Sequence, residues 1–238
     1  MGGIIKWLSP RRERVTNGDF EAGAFDPPVT DLWRGSMDLS GWTVVDSGSP
    51  AQAVAWSASG NYAGATVKDG GKFLNLASYN VVTAVDRRYG GITQKIDTVA
   101  GANHRLEATV GATYLDPAYS GPAAVRVYLS APVADLAKIP SALGTASLPA
   151  DGTVFFIEAS SAGSADKQTW TRYSFDFTPD SNSTQVTIYG WETDPQTSGT
   201  RFVGLDDVSV RLTGGLLDLV YASIRHWLER LMSPARKP

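Results

Sequence analysis

Three features of the sequence predict an all-β fold, an antiparallel β-sandwich of jelly-roll type. Short runs of β-branched and aromatic residues alternate with polar ones through most of the chain. Turn-forming pairs separate these runs: Asn17-Gly18, Ser40-Gly41, Gly70-Gly71, Gly90-Gly91 and Ala100-Gly101. About eleven such runs fit in the chain, more than one sheet usually holds and enough for two packed sheets. At 238 residues, with 42% hydrophobic and 10% aromatic residues, the chain has the material for a full core.

Three segments follow from the pattern: an arm at 1–14, a β-sandwich at 15–213, and a helix with a basic tail at 214–238. The arm has a small apolar cluster (Ile4, Ile5, Trp7, Leu8), then Ser9-Pro10 and charges. Val15 to Phe20 opens the body. Residues 22–40, with Pro27-Pro28, several glycines and Trp33, read as a long loop. Strands are expected at Trp42 to Val45, Ala53 to Ser57, Phe73 to Leu76 and Ile92 to Val99. His104 to Tyr114 alternates cleanly, with Leu106, Ala108, Val110 and Ala112 inward and Arg105, Glu107 and Thr109 outward. Val125, Val127 and Leu129 repeat that pattern. Residues 131–152 read as a loop with one helical turn near Ala134 to Lys138. Further strands follow at Val154 to Ile157, from Trp170, and at Thr184 to Trp191.

Asn17 to Glu21, a turn followed by an aromatic and a second carboxylate, and Thr200 to Leu212 are expected to be the first and last strands, brought together at one rim. Leu212, Val210 and Val208 share a face, and counting back by two places Asp206 on that inward face. A carboxylate there needs a hydrogen bond, a counter-charge or a metal. After Gly214-Gly215 the period changes. Leu217, Val220, Ile224, Trp227, Leu228 and Leu231 recur at helical spacing, and Pro234 ends the run. An isolated amphipathic helix of this length is marginal in water, so its apolar stripe is expected to pack on something.

Charge narrows the function. Lys6, Arg11, Arg12 and Arg14 against Glu13 give residues 1–15 a net of +3. Arg225, Arg230, Arg236 and Lys237 against Asp218 and Glu229 give residues 214–238 a net of +2. That leaves −8 on the middle of a chain whose total is −3, which argues against general nucleic-acid binding. With no Cys there is no disulfide, thiolate site or Cys nucleophile. Neither a signal peptide nor a bilayer-spanning run is read from the sequence.

The ordered set Asn17-Gly18-Asp19-Phe20-Glu21, Gly41-Trp42, Gly71-Lys72-Phe73-Leu74-Asn75-Leu76, Gly91-Ile92-Thr93-Gln94, Val99-Ala100-Gly101, Trp170 with Tyr173 and Phe175, and Leu205-Asp206-Asp207-Val208-Ser209-Val210 resembles the galactose-binding-like jelly rolls. It is similar to carbohydrate-binding modules of the xylan and glucan type and to the related plant cell-wall family of unknown function. The resemblance spans roughly residues 15–212. It implies a structural calcium between the early Glu and the late Asp, here Glu21 and Asp206. The oxygen ligands suit that ion, and the other reading is that Asp206 caps backbone amides at a turn.

No catalytic constellation stands out, and the chain is expected to be non-catalytic. No Ser-His-Asp ordering or phosphate-binding loop is found, and His104 sits on an apolar face as a core residue. A glycan site is expected on the aromatics that alternation turns away from the core: Tyr128, Tyr189 and Trp191, with Arg126 for hydroxyls and Trp33 at a loop tip. Such planes cover the C–H faces of sugar rings. A helix or loop covering these rings is the competing reading, while Trp42 and Trp170 are assigned to the core. The expected function is a non-catalytic carbohydrate-binding-like module docked to a larger assembly through its termini, by a partner subunit or a second copy. The alternative is a structural or decorating subunit, such as one of a phage particle, without a glycan ligand.

Overall fold

The computed structural model describes residues 12–45, 54–60, 71–76, 90–113, 123–134, 153–159, 169–191 and 202–214, together with 220 and 224. Among these, eleven strands form: β1 (Val29–Leu32), β2 (Thr43–Val44), β3 (Val54–Ala58), β4 (Lys72–Asn75), β5 (Gly91–Asp97), β6 (His104–Thr113), β7 (Ala123–Ser130), β8 (Thr153–Ala159), β9 (Thr169–Phe177), β10 (Ser183–Trp191) and β11 (Phe202–Leu212). Six of them pair in the order β1-β3-β4-β11-β6-β9 and five in the order β2-β5-β10-β7-β8. Each described pairing is antiparallel. The fold is therefore the two-sheet antiparallel sandwich that the alternation predicts.

The core lies between the sheets. β6 contributes Leu106, Ala108 and Val110, β11 contributes Val203, Leu205, Val208 and Val210, and the other sheet answers with Ile92, Ile96, Val125, Val127, Val186 and Ile188. Fully burying one such aliphatic side chain is worth about 1.5–3 kcal/mol, so this layer dominates stability. Trp42 and Trp56 close one end. Their indole N–H groups donate to the carbonyls of Asn17 (3.0 Å) and Phe20 (2.9 Å), which satisfies the polar atom of each buried ring.

Three details differ from the sequence expectations. Residues 22–40 are not loop throughout, because β1 lies within them and pairs with β3. The segment Val15 to Phe20 forms a turn rather than a strand. Still, it lies against β11 as expected, with Arg14 N–H donating to Val210 and Val208 N–H donating to Gly18. Finally, Trp170 is not in the core. It pairs with Gly111 on the outer face of the six-stranded sheet and is half-buried. A Cβ on Gly111 would stand 2.7 Å from its ring, so only glycine lets the indole lie there, edge-on to Phe73. The helical turn at Ala134 to Lys138 and most of the C-terminal helix fall outside the described residues; Val220 and Ile224 are helical and exposed.

Candidate functional site

Two places gather polar or aromatic groups that the core does not use. One is the rim where β11 meets the N-terminal turn. The other is the outer side of the five-stranded sheet.

At the rim, β11 carries a bulge between Asp206 and Ser209. Upstream, Val203 and Leu205 face the core; downstream, Val208 and Val210 do. The extra residue switches the alternation, so Asp206 does not share the inward face of Val208. It sits opposite Thr109, a register position on the sheet's outer side. Its carboxylate accepts the Asp207 N–H at 2.8 Å. Burial, with the nearby Asp207, Glu21 and Asp19 carboxylates, pushes its pKa up to about 8. Asp206 thus keeps its proton at neutral pH unless a cation replaces it.

The partner turn is held in place by unusual backbone. Asn17 and Phe20 adopt positive φ values of 53° and 54°, and Asp207 one of 50°. The Asn17 amide staples the turn, donating to the carbonyls of Ala22 (2.8 Å) and Ser40 (3.0 Å) and accepting the Ala22 N–H. Glu21 reaches Lys72: its carboxylate accepts the Lys72 backbone N–H and pairs with Nζ at 2.9 Å, while Nζ also donates to the Glu21 carbonyl. The same ammonium lies 5.3 Å from the centroid of the Phe25 ring.

The donor set suits calcium in kind. Glu21 and Asp206 bring carboxylates near one another, and Asp206 is a partly buried acid with no counter-charge among the described residues. Lys72 already neutralises Glu21, and the described residues include no cluster of three metal-ligating acidic, His or Cys side chains. Backbone carbonyls would have to complete the shell.

On the five-stranded sheet, pairing places Tyr189 opposite Arg126 and Gly91, and Thr187 opposite Tyr128 and Thr93. These side chains face away from the core, as alternation predicts. They do not form an open platform, however. Tyr189 is 0% exposed and Tyr128 3%, packed with Val45 and Val133 in a second small cluster. The Tyr189 ring leaves no room for a Cβ on Gly91, and burial raises its phenol pKa. Arg126 is half-buried, and burial lowers its pKa. The backbone of Trp191 pairs with Ala124 at the end of β10, and its side chain lies outside the described residues.

Beside the tyrosines runs a polar ladder that the sequence did not flag. Thr93 and Thr187 hydroxyls meet at 2.9 Å, Gln185 donates to Thr93 at 2.6 Å, and Thr93 donates to the Val186 carbonyl. Buried β-strand Thr and Gln at period 2 on the non-core side were the available signal. Trp33 stands apart, 47% exposed. Its turn is hydrogen-bonded to β2: the Gly35 N–H donates to the Val44 carbonyl and the Val44 N–H to the Ser36 carbonyl.

His104, the residue closest to a candidate base, is fully buried. One ring nitrogen lies 2.9 Å from the Ala102 carbonyl, the other accepts the Val99 N–H, and the ring stacks on Phe177. Burial lowers its pKa to about 4, so it is a neutral core residue, as the sequence predicts.

No protein-family model matches the sequence, and no curated protein matches it. Among solved structures the chain is similar to a carbohydrate-binding module of family 4, with 13% identity, 84% of this chain and 99% of that one covered, and a TM-score of 0.44. It is also similar to the carbohydrate-binding and catalytic modules of a Clostridium thermocellum xylanase complexed with xylohexaose, with 12% identity and a TM-score of 0.45, covering 85% of this chain and 29% of that one. An adhesin domain of Lys-gingipain from Porphyromonas gingivalis is a third, with 14% identity and a TM-score of 0.46, covering 76% and 98%.

Proposed function

We propose that the chain is a non-catalytic, carbohydrate-binding-like module held to a larger assembly through its termini. The observation that carries the glycan half is Trp33. It is the one large aromatic ring among the described residues that stands more than a third exposed, and a backbone ladder fixes it beside the five-stranded sheet. A half-exposed indole offers a sugar ring a flat apolar partner. On the same reading, Tyr128 and Tyr189, with Arg126 and Trp191 at neighbouring register positions, belong to the outer side of the five-stranded sheet, to which β2 also belongs. Within this reading Glu21 and Asp206 hold a calcium ion whose role is structural.

The test is a glycan array followed by affinity gels containing the polysaccharides that score. Trp33→Ala is expected to lose most retention with an unchanged melting temperature. Tyr189→Ala is expected to cost about 3 kcal/mol or more of stability, as for other buried aromatics cut to Ala. Absence of any retained glycan for the wild type, or full retention by Trp33→Ala, removes the glycan half.

A second reading has its own support: an assembly subunit with no glycan ligand, such as one decorating a phage particle. Val220 and Ile224 belong to the apolar stripe of the C-terminal helix, yet are 44% and 53% exposed. Exposed apolar side chains at helical spacing suit a protein partner. A protein that binds no glycan but co-sediments with a partner or with itself meets this second reading.

A further inference from the structure

The bulge of β11 and the N-terminal turn enclose an open groove of about 380 Å³. Its walls include Glu13, Asp19, Arg172, Asp207, Ser209 and Arg211. The two guanidinium groups are already matched: Arg172 pairs with Glu107 at 2.9 Å and Arg211 with Glu13 at 3.0 Å. Those pairs cancel, and the carboxylates of Asp19 and Asp207 remain, two negative charges without a described cationic partner. Below them, Ser209 is 7% exposed and its hydroxyl has no hydrogen-bond partner among the described residues. Leaving a buried hydroxyl unsatisfied costs free energy that a ligand's donor would recover.

The groove is preformed. Val208 N–H donates to Gly18 at 2.8 Å, and a Cβ on Gly18 would fall 1.8 Å from the Val208 carbonyl oxygen. The turn and the bulge are therefore in backbone contact, which places Asp19 and Asp207 on the walls of one groove. The positive φ of Asp207 is the conformation the bulge imposes. A site whose acceptors are fixed before binding spends little on ordering them.

We propose that this groove binds a primary alkylammonium group, seated between Asp19 and Asp207 with the Ser209 hydroxyl as its third acceptor. An ammonium has three donors and no acceptor, which matches two carboxylates and one orphaned hydroxyl. The remaining N–H groups of Arg172 and Arg211 suit carbonyl oxygens along the rest of the ligand. That chemistry belongs either to a lysine side chain in a peptide or to a free polyamine.

The experiment is an amide NMR titration of the full chain with three probes: N-acetyl-lysine methylamide, spermidine, and the peptide Ser-Pro-Ala-Arg-Lys-Pro that corresponds to residues 233–238. Sodium chloride at matched ionic strength is the control. Saturable shifts are expected at residues 17–19 and 207–209. Asp207→Asn, which keeps a residue tolerant of positive φ, and Ser209→Ala are each expected to weaken binding about tenfold. Tighter binding of the two lysine probes identifies a peptide ligand, and tighter binding of spermidine a polyamine; either supports the proposal. Shifts reproduced by salt alone overturn it, as does equal binding by both variants. Calcium titrated alone is the last arm: shifts in the groove with calcium but with none of the amines also overturn it. Trp33→Ala is expected to leave these shifts intact, so loss of glycan retention and loss of ammonium binding report separately.

Discussion

At the scale of single residues, two buried ionisable groups pull the stability of this protein in opposite directions with pH. His104 titrates near 4 when folded against 6.5 when exposed. Between those values the unfolded chain binds the proton and the folded one does not. Its contribution is therefore complete above about pH 6.5 and is lost as pH falls towards 4, a swing of about 3 kcal/mol. Asp206 is the reverse. With a folded pKa of about 8 against 3.8, its contribution is complete below about pH 4 and is lost as pH rises through 8. In chelator, the wild-type melting temperature should therefore change little between pH 4.5 and 6.5. Asp206→Asn is expected to become acid-sensitive in that window, and His104→Gln to gain stability on acidification; parallel curves for all three would refute the assignment. Calcium adds a further test. If it binds Glu21 and Asp206 it must displace the Asp206 proton, so stabilisation by added calcium should grow from pH 6 to 9. No calcium effect at pH 9, where that carboxylate is ionised, removes the metal. The sequence alone exposed Asp206 as a residue needing an explanation, because a carboxylate beside an apolar row is costly. It did not expose Ser209, nor the Thr93 network, in which residues from β5 and β10, far apart in the chain, meet.

At the scale of elements, the alternation in the sequence predicted most strands, because each strand buries one face and the pattern has period 2. β1 was missed because Pro27-Pro28 and nearby glycines masked a strand of four residues. The bulge was legible in principle. Val203 and Leu205 are odd-numbered core residues and Val208, Val210 and Leu212 even-numbered, with Asp206-Asp207 between them. Two adjacent polar residues and a change of parity mark an inserted residue; counting by two from one end alone put Asp206 on the wrong face. The aromatic face failed for another reason. Alternation tells which way Tyr128 and Tyr189 point but not what lies over them, and both are covered. Glycine requirements follow from the same contacts. Gly18→Ala places a methyl against the Val208 carbonyl, backbone against backbone, and is expected to cost about 2–4 kcal/mol. Gly111→Ala meets only the edge of the half-buried Trp170 ring, which can shift, and should cost less. Urea denaturation of the two variants checks the order, and a milder Gly18→Ala would mean that the turn is not anchored on the bulge.

At the scale of the whole molecule, charge and apolar surface separate into a body and two ends. The middle of the chain carries −8 and the terminal segments +3 and +2. Glu13 ties the start of the body to the last strand. Its carboxylate accepts the N–H groups of Val210 at 2.8 Å and Val15 at 3.0 Å and pairs with Arg211. Residues from Glu13 onward therefore belong to the sandwich. At the other end, β11 finishes at Leu212, and the exposure of Val220 and Ile224 leaves part of the helix stripe uncovered. Apolar side chains beyond the sandwich, flanked by basic residues, suit docking to an acidic surface, and the acidic body of a second copy is one such surface. Deleting residues 1–11 and 215–238 keeps the Glu13 clamp and all eleven strands. If the ends dock, the truncated protein should unfold within about 1 kcal/mol of the full chain, because no core contact is removed. Light scattering should then show the full chain forming a larger species with rising concentration and the truncated one remaining a monomer. Added salt should weaken the larger species through screening of the charged rim. If the full chain is a monomer at every concentration and the deletion lowers the melting temperature sharply, the ends pack on their own sandwich and the docking half of the proposed function fails.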